Sequence, residues 1–548
     1  MTAGDSPAVV LVGGDVFTAN RQRTRADAVG VAGNRIVAVG TERDVVRRLP
    51  DAPSIDLQGR TVVPGLIDAH NHFLATGEML ASLDVRYPRV SSVEALVAAV
   101  AAEASRTPAG QWVIATGFDH AKYDREPTRR DLDAATREHP VFVLHISGHQ
   151  GLANSAALAA RGITDDTSDP PGGHLVRDEH GRLTGLCLEA ALGLLQPVAV
   201  EIGHHGPNFH AERPLSELID AVDRAARAFT SVGITTVCDA QVTRRELTAY
   251  QAARRQGRLG VRTVCMPLSH QLRELESIGV TSGFGDDHLR IGAMKFYADG
   301  SLIGGTAVFS TPYGASGEYS GSMYWESEAF VEAVTDAHRA GWQVGVHAQG
   351  DLGIELALDA FTTALADTPV DDPRFRIEHA GFPTSRQLKR MAALGVITIN
   401  QPSYLVDSGD DFIVRLGERA DGLQPLRSEL EAGVGVVLSS DSDVASYRPM
   451  DTISAAVRRR TAAGRPIGAD QALTLEEALL AHTIEAAFAL RMEDRIGSIE
   501  PGKLADLTIF DGDVWSTAPE DLADLPVWFT AIDGQVAHGP SLDTLTNQ

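Results

Sequence analysis

Through the middle of the chain one hydrophobic pattern keeps returning. An amphipathic stretch is followed by a glycine, then by a short apolar run that ends in a polar residue. In LIDAVDRAARAFTSVG the apolar positions Leu218, Val222, Ala226 and Phe229 repeat at helical spacing, and the chain breaks at Gly233 into ITTVCDA. FVEAVTDAHRAG breaks at Gly341 into WQVGVHAQGD, LKRMAALG at Gly395 into VITINQ, and LRSELEAG at Gly433 into VGVVLSSD. Glycine is favoured just past a helix, and apolar runs of about five residues suit strands buried on both faces. Repeated units of this kind predict an α/β fold and close most readily as a (β/α)8 TIM-like barrel. No GxGxxG follows the first strand to favour an open doubly wound sheet.

The two ends read differently. Ala8 to Val12, Val29 to Val39 with a turn at Gly33-Asn34, and Ser54 to Leu57 alternate or run as strands. GSIEPGKLADLTIFDGD and WFTAIDGQVAHG return to β near the C-terminus. The pattern therefore predicts a small composite β-sandwich domain from residues 1–62 and 491–548, beside a barrel of residues 63–490. Residues from about 74 to 214 are too long for one βα unit and predict an inserted lid subdomain.

Composition narrows the partners. Asp and Glu number 73 against 48 Lys and Arg, a net charge of −25, which argues against nucleic acid because phosphate binding needs clustered cations. Cys187, Cys238 and Cys265 form no CxxC pair and lie in apolar runs, so they read as core packing. The N-terminal residues lack the basic flank of a signal peptide, and no apolar run approaches the length of a membrane span. A cytoplasmic protein with a small-molecule substrate is expected, paired as a homodimer as soluble enzymes often are.

The chemistry gathers at the ends of the apolar runs. His70, His72, Asp239, His347, His379, Asn400 and Asp441 all sit there, and in a (β/α)8 barrel those ends surround one mouth. PGLIDAHNH, residues 64–72, places two histidines two apart, so both imidazoles share one face of a strand and converge on one point. Imidazole is the commonest ligand of borderline cations such as zinc. His347 in VGVHAQGD, His379 in RIEHA, Asp441 in VVLSSD and Lys295 in IGAMKFYADGS end other runs. A plain lysine repels metals; carrying carbon dioxide as a carbamate, it becomes an anionic oxygen donor. His204, His205 and His210 in HHGPNFH read as a solvated loop, because no strand brings them together. Neither a GxSxG elbow nor a P-loop is present.

PGLIDAHNH, VHAQGD, RIEHA, SSD and IGSIEPGKLADLTIFD together resemble the amidohydrolase superfamily of metal-dependent hydrolases. MKFYADGS followed by TPY, and SGHQGLANSAAL with PPGG, resemble its family 3 branch, which includes N-substituted formamide deformylases. The likeness runs from about residue 8 to 536. It implies that His70 and His72 hold a first divalent metal, and that carboxylated Lys295 bridges to a second held by His347 and His379. Asp441 would bind the first metal and shuttle the proton. Zinc suits these imidazoles, one or two ions per chain, while manganese, iron or cobalt can occupy similar sites. His149 would donate to the developing oxyanion or orient substrate. Asp239, Asp351, Glu378, Gln401 and Asp443 would orient the ligands or face substrate. The chain departs from the branch in reading Ser147-Gly148-His149 where Asp-Gly-His is usual, and in carrying Asp443 where proline is common.

The expected activity is hydrolysis of a C–N bond in a small organic amide, an N-substituted formamide first. Divalent cations would acidify a water and polarise the carbonyl, with Asp441 moving the proton. A deaminase, a cyclic-amide hydrolase or an esterase or lactonase would use the same residues. The reading from another class is a non-catalytic binding or regulatory protein that keeps the barrel.

Overall fold

The computed structural model describes residues 8–119, 122–146, 150–170, 173–189, 191–196, 199–314, 316–317 and 319–546. The chain divides into two compact units, Leu74–Arg224 and the remainder, Met1–Phe73 with Ala225–Gln548.

In the larger unit the apolar runs become two parallel sheets. One has the order Leu289–Ile291, Arg262–Pro267, Ile234–Val242, Leu66–Asn71; the other runs Met294–Tyr297, Val344–Ala348, Arg376–His379, Ile397–Asn400, Gly435–Leu438. Every neighbouring pair is parallel, in registers such as Thr263 opposite Leu289, Lys295 opposite Gly345, His347 opposite Glu378 and Asn400 opposite Leu438. Nearly every strand residue is buried, as strands covered on both faces must be. Ile67, Ala69, Cys238, Val264, Met266, Ile399 and Val437, drawn from both sheets, share one apolar core.

The helices form where the spacing placed them, and their ends follow from local chemistry. Leu215–Ser231 buries Leu218, Val222, Ala226 and Phe229. Ser385–Leu394 opens on a capping box of Thr384 with Gln387 and closes on Gly395, whose φ of 64° lies in the left-handed region. Gly433 ends Leu426–Ala432 in the same way, at φ 83°.

The chain ends build two further sheets. Arg35–Gly40, Ala28–Ala32, Val9–Val12 and Ser54–Asp56 form one. The other runs Gln535–His538, Val527–Ile532, Leu507–Phe510, Thr61–Pro64, Asp15–Phe17, Arg25–Ala26, so that Val62 from one end of the chain lies opposite Ile509 from the other. Val9, Leu11, Val29 and Val31 share a core with Val62, Leu507, Ile509 and Phe529.

The unit Leu74–Arg224 holds a mixed six-stranded sheet: Gly173–Arg177, Leu183–Glu189, Gln150–Ala153, Val141–His145, Val113–Phe118, Leu83–Asp84. Helix Val93–Ala104 packs its Leu96 and Val100 into a core with Val113, Val141 and Val143. The hydrophobic pattern gave no warning of this sheet, because its strands pair largely antiparallel across turns rich in Pro, Gly and Asp, without the repeated helix, glycine and apolar run. In HHGPNFH, His204 is exposed and its ring stacks on His205 at 4.6 Å. His210 is buried, which corrects the expectation of a wholly solvated loop. All three cysteines are free and buried. No helix among the described residues is long and apolar enough to cross a membrane.

Candidate metal centre

The site is built from strand ends. His70 lies within Leu66–Asn71, and His72 follows one residue after that strand. Asp441 follows Gly435–Leu438, and its backbone N–H donates to the His70 carbonyl at 2.9 Å. The ligand atoms of His70, His72 and Asp441 all lie within 4.8 Å of one another; among the described residues this is the one such group of three. Asp441 Oδ1 is 3.1 Å from His72 Nε2 and 3.4 Å from His70 Nε2. Asp441 and His379 carry left-handed backbone, φ 53° and 76°, a strain that persists only where surrounding structure imposes it.

The other two histidines join them. The His379 ring lies 4.9 Å from that of His70 and 4.5 Å from that of His347. Gln401 Oε1 takes the His379 Nδ1 side at 2.7 Å, which leaves Nε2 with the lone pair. Burial, aided by His70 and Lys295, pushes His379 down to about 3 against the pull of Asp441. Burial also drives His347 well below the usual imidazole range, with His379 and Lys295 adding to it. Both rings are therefore neutral, the form that ligates metal.

A buried ion pair orients His70. Glu378 Oε2 meets His70 Nδ1 at 2.5 Å, turning Nε2 towards Asp441. Arg376 holds Glu378 through Nε at 2.7 Å and Nη2 at 2.9 Å, and also donates to the Ala69 carbonyl at 2.8 Å. Burial alone would raise Glu378, but Arg376 and His70 hold it below the ordinary carboxylate range. Burial opposes ionisation of Asp441 too, yet the neighbouring His70, His72 and His379 hold it well below its usual value. His72 is raised, burial notwithstanding, by Asp441 first and then by Asp443 and Asp239.

Lys295 is fully buried, and its Nζ has no hydrogen-bond partner among the described residues. Burial lowers it to about 8, with Glu378 and Asp441 opposing. A buried ammonium without a partner is costly. The neutral amine is the form that adds carbon dioxide, so this orphaned nitrogen fits the role of a metal-bridging carbamate. The donor set of two imidazole nitrogens and one carboxylate oxygen fits a divalent cation such as zinc.

The remaining expected residues fall as follows. Asp239 accepts from the Tyr250 hydroxyl and from Gln241 N. Asp443 is partly buried and acts electrostatically on His72. Asp351 is a correction: its carboxylate accepts from Ser310 N at 2.8 Å in an exposed setting instead of orienting an imidazole, because it starts the helix Asp351–Asp367. His149 lies outside the described residues. Sequence reasoning passed over Arg376, Tyr404, Tyr297 and Asp68. Asp68 accepts from Ser440 N and Oγ, at 2.9 and 2.6 Å. Strand alternation puts Asp68 in phase with His70, and Arg376 with Glu378, a signal that could have found both. Tyr297, stacked 4.8 Å from His347, could have been found the same way from Lys295. Tyr404 donates to Asp441 Oδ2, and no local pattern announces it.

Comparison with known proteins gives the chain a family. N-substituted formamide deformylase of Arthrobacter pascens is 33% identical over 537 residues, 96% of this chain and 97% of that protein. An uncharacterized metal-dependent hydrolase from Pyrococcus horikoshii OT3 superposes with a TM-score of 0.76 at 26% identity, covering 94% of this chain and 99% of that one. Atrazine chlorohydrolase TrzN from Arthrobacter aurescens TC1, solved complexed with zinc, shares the fold at a TM-score of 0.53 and 16% identity over 98% of each chain. Residues 54–538 match the family described as Amidohydrolase family, Amidohydro_3, and the chain belongs to amidohydrolase family 3.

Proposed function

We propose that this protein is a zinc-dependent amidohydrolase that cleaves the C–N bond of a small N-substituted formamide. The convergence of His70, His72 and Asp441 ligand atoms within 4.8 Å carries the reading. The formamide is suggested by what the Arthrobacter pascens relative is named for acting on.

The scaffold we infer is a (β/α)8 barrel. Counting Leu289–Ile291 and Met294–Tyr297 as one interrupted strand leaves eight parallel strands. Gly292 N bonds the Cys265 carbonyl at 2.7 Å and Leu268 bridges Lys295 in parallel, which links the two sheets at one edge. The Asp441-to-His70 backbone bond supports closure at the other. His70, His72, His347, His379 and Asp441 then sit at or just past the carboxyl ends of strands, and Lys295 lies two residues before the end of its own.

When bound, zinc would polarise the scissile carbonyl and acidify the attacking water. His70 and His72 would hold one ion with Asp441; His347, His379 and the Lys295 carbamate would hold a second. Arg376 and Glu378 fix the His70 tautomer, so that Nε2 carries the lone pair. Asp441 takes the proton of the attacking water on its carboxylate and returns it to the leaving nitrogen, releasing amine and formate.

Metal analysis of the purified protein with a formamide hydrolysis screen tests this reading. His70→Ala should lose metal and activity together. Asp441→Asn should bind zinc more weakly and, in protein saturated with zinc, lower kcat at least about a hundredfold, the scale of a lost general base. A protein that cannot be loaded with zinc would contradict the proposal.

A further inference from the structure

We infer that Tyr404 is a positioning residue that fixes the Asp441 carboxylate, holding Oδ2 with its hydroxyl so that Oδ1 faces His70 and His72. The inference rests on the metal-dependent reading above and adds to it a residue that neither the ligand pattern nor the comparisons assign.

The geometry divides the carboxylate between two tasks. Oδ1 lies 3.1 Å from His72 Nε2 and 3.4 Å from His70 Nε2, while Oδ2 accepts the Tyr404 hydroxyl. Tyr404 and Asp441 are 5% and 4% exposed, so water cannot readily replace that donor. Once the two imidazoles turn lone pairs to an ion they no longer donate to Asp441. Tyr404 is then the remaining donor to this carboxylate among the described residues. A buried carboxylate without a donor is costly and free to rotate.

The phenol is itself held in place. Tyr404 N donates to the Gln401 carbonyl at 3.0 Å, and the Gln401 side chain takes His379 Nδ1 at 2.7 Å. One turn after Ile397–Asn400 therefore sets a histidine through Gln401 and the aspartate through Tyr404. The Tyr404 ring packs with Leu302, Leu405, Phe412 and Ala445, and lies within 13° of parallel to the His379 imidazole. The ring is anchored by packing and the hydroxyl is spent on Asp441.

The test titrates metal-free full-length protein with Co2+ in wild type, Y404F, D441N and the double variant, followed by steady-state kinetics. Y404F should bind Co2+ about tenfold more weakly, within the range for losing a group that orients a ligand. Its cobalt visible spectrum should shift, and kcat should fall while KM stays within about twofold. In the D441N background the same substitution should change neither affinity nor spectrum, since the carboxylate it orients is gone. Unchanged affinity and spectrum in Y404F, or an equal loss in both backgrounds, would overturn the inference. If Y404F proves too unstable to purify, D441N against D441N/Y404F still decides, and any difference between them counts against it. Wild type that binds no Co2+ overturns the metal reading itself and this inference with it, an outcome distinct from wild type and Y404F binding alike.

Discussion

His70 can ligate a cation only if its proton sits on Nδ1, and Glu378 is placed to keep it there. Glu378 is wholly buried and ionised because Arg376 lies against it, so the guanidinium acts on the imidazole through the carboxylate. Glu378→Gln leaves that guanidinium buried without its counter-charge. The loss should be about 3 kcal/mol or more of stability by chemical denaturation, together with a ten- to hundredfold drop in zinc affinity. Retention of both would show that the pair is incidental. At this scale the sequence was informative wherever residues two apart on a strand share a face: His70 and His72 were legible for that reason. Asp351 misled because VHAQGD sets it close in sequence to His347, whereas the turn into its helix carries it to Ser310. Tyr404 was illegible because its contact with Asp441 spans two strands and thirty-seven positions of sequence.

Among the elements, the short connections between strand and helix carry much of the constraint. Gly350 opens the helix Asp351–Asp367, and its N–H and that of Gln349 converge on the two oxygens of buried Asp299. A Cβ on Gly350 would lie 1.9 Å from the Val308 carbonyl oxygen. Gly350→Ala should therefore cost about 1–3 kcal/mol in urea unfolding, and an unchanged midpoint would contradict this packing. On the helix Leu426–Ala432, burial raises Glu429 to about 7 from 4.5, although Thr398 and Asn400 donate to it. An acid raised in the folded state binds more protons folded than unfolded, so its contribution is full below pH 4.5 and lost as pH rises through about 7. Glu429→Gln should match wild type at pH 4 and be more stable at pH 8 by about 3 kcal/mol. Equal stability at both pH values would contradict this. Helices and parallel strands were legible because a 3.6-residue period, a left-handed glycine and an apolar run each have a local cause. The sheet within Leu74–Arg224 was not, since its antiparallel strands Val141–His145, Gln150–Ala153, Leu183–Glu189 and Gly173–Arg177 lack the helix, glycine and strand repeat that marked the parallel ones.

For the whole molecule, the pairing of Thr61–Pro64 with Leu507–Phe510 brings the two ends of the chain into one sheet, and the ligand-bearing strands lie between those ends in sequence. The net charge of −25 is spread over a chain whose proposed chemistry uses only a few buried acids, so charge says little about activity beyond disfavouring polyanions. His70, His72 and Asp441 are proposed to hold a divalent cation for hydrolysis, with Lys295, His347 and His379 beside them. Anomalous X-ray scattering at the zinc edge from crystals of the zinc-loaded protein tests it most directly. A peak is expected about 2.0–2.2 Å from His70 Nε2, His72 Nε2 and an Asp441 oxygen, with density beyond Lys295 Nζ where a second ion is bound. Zinc bound elsewhere, with no anomalous peak between these three side chains, would contradict it.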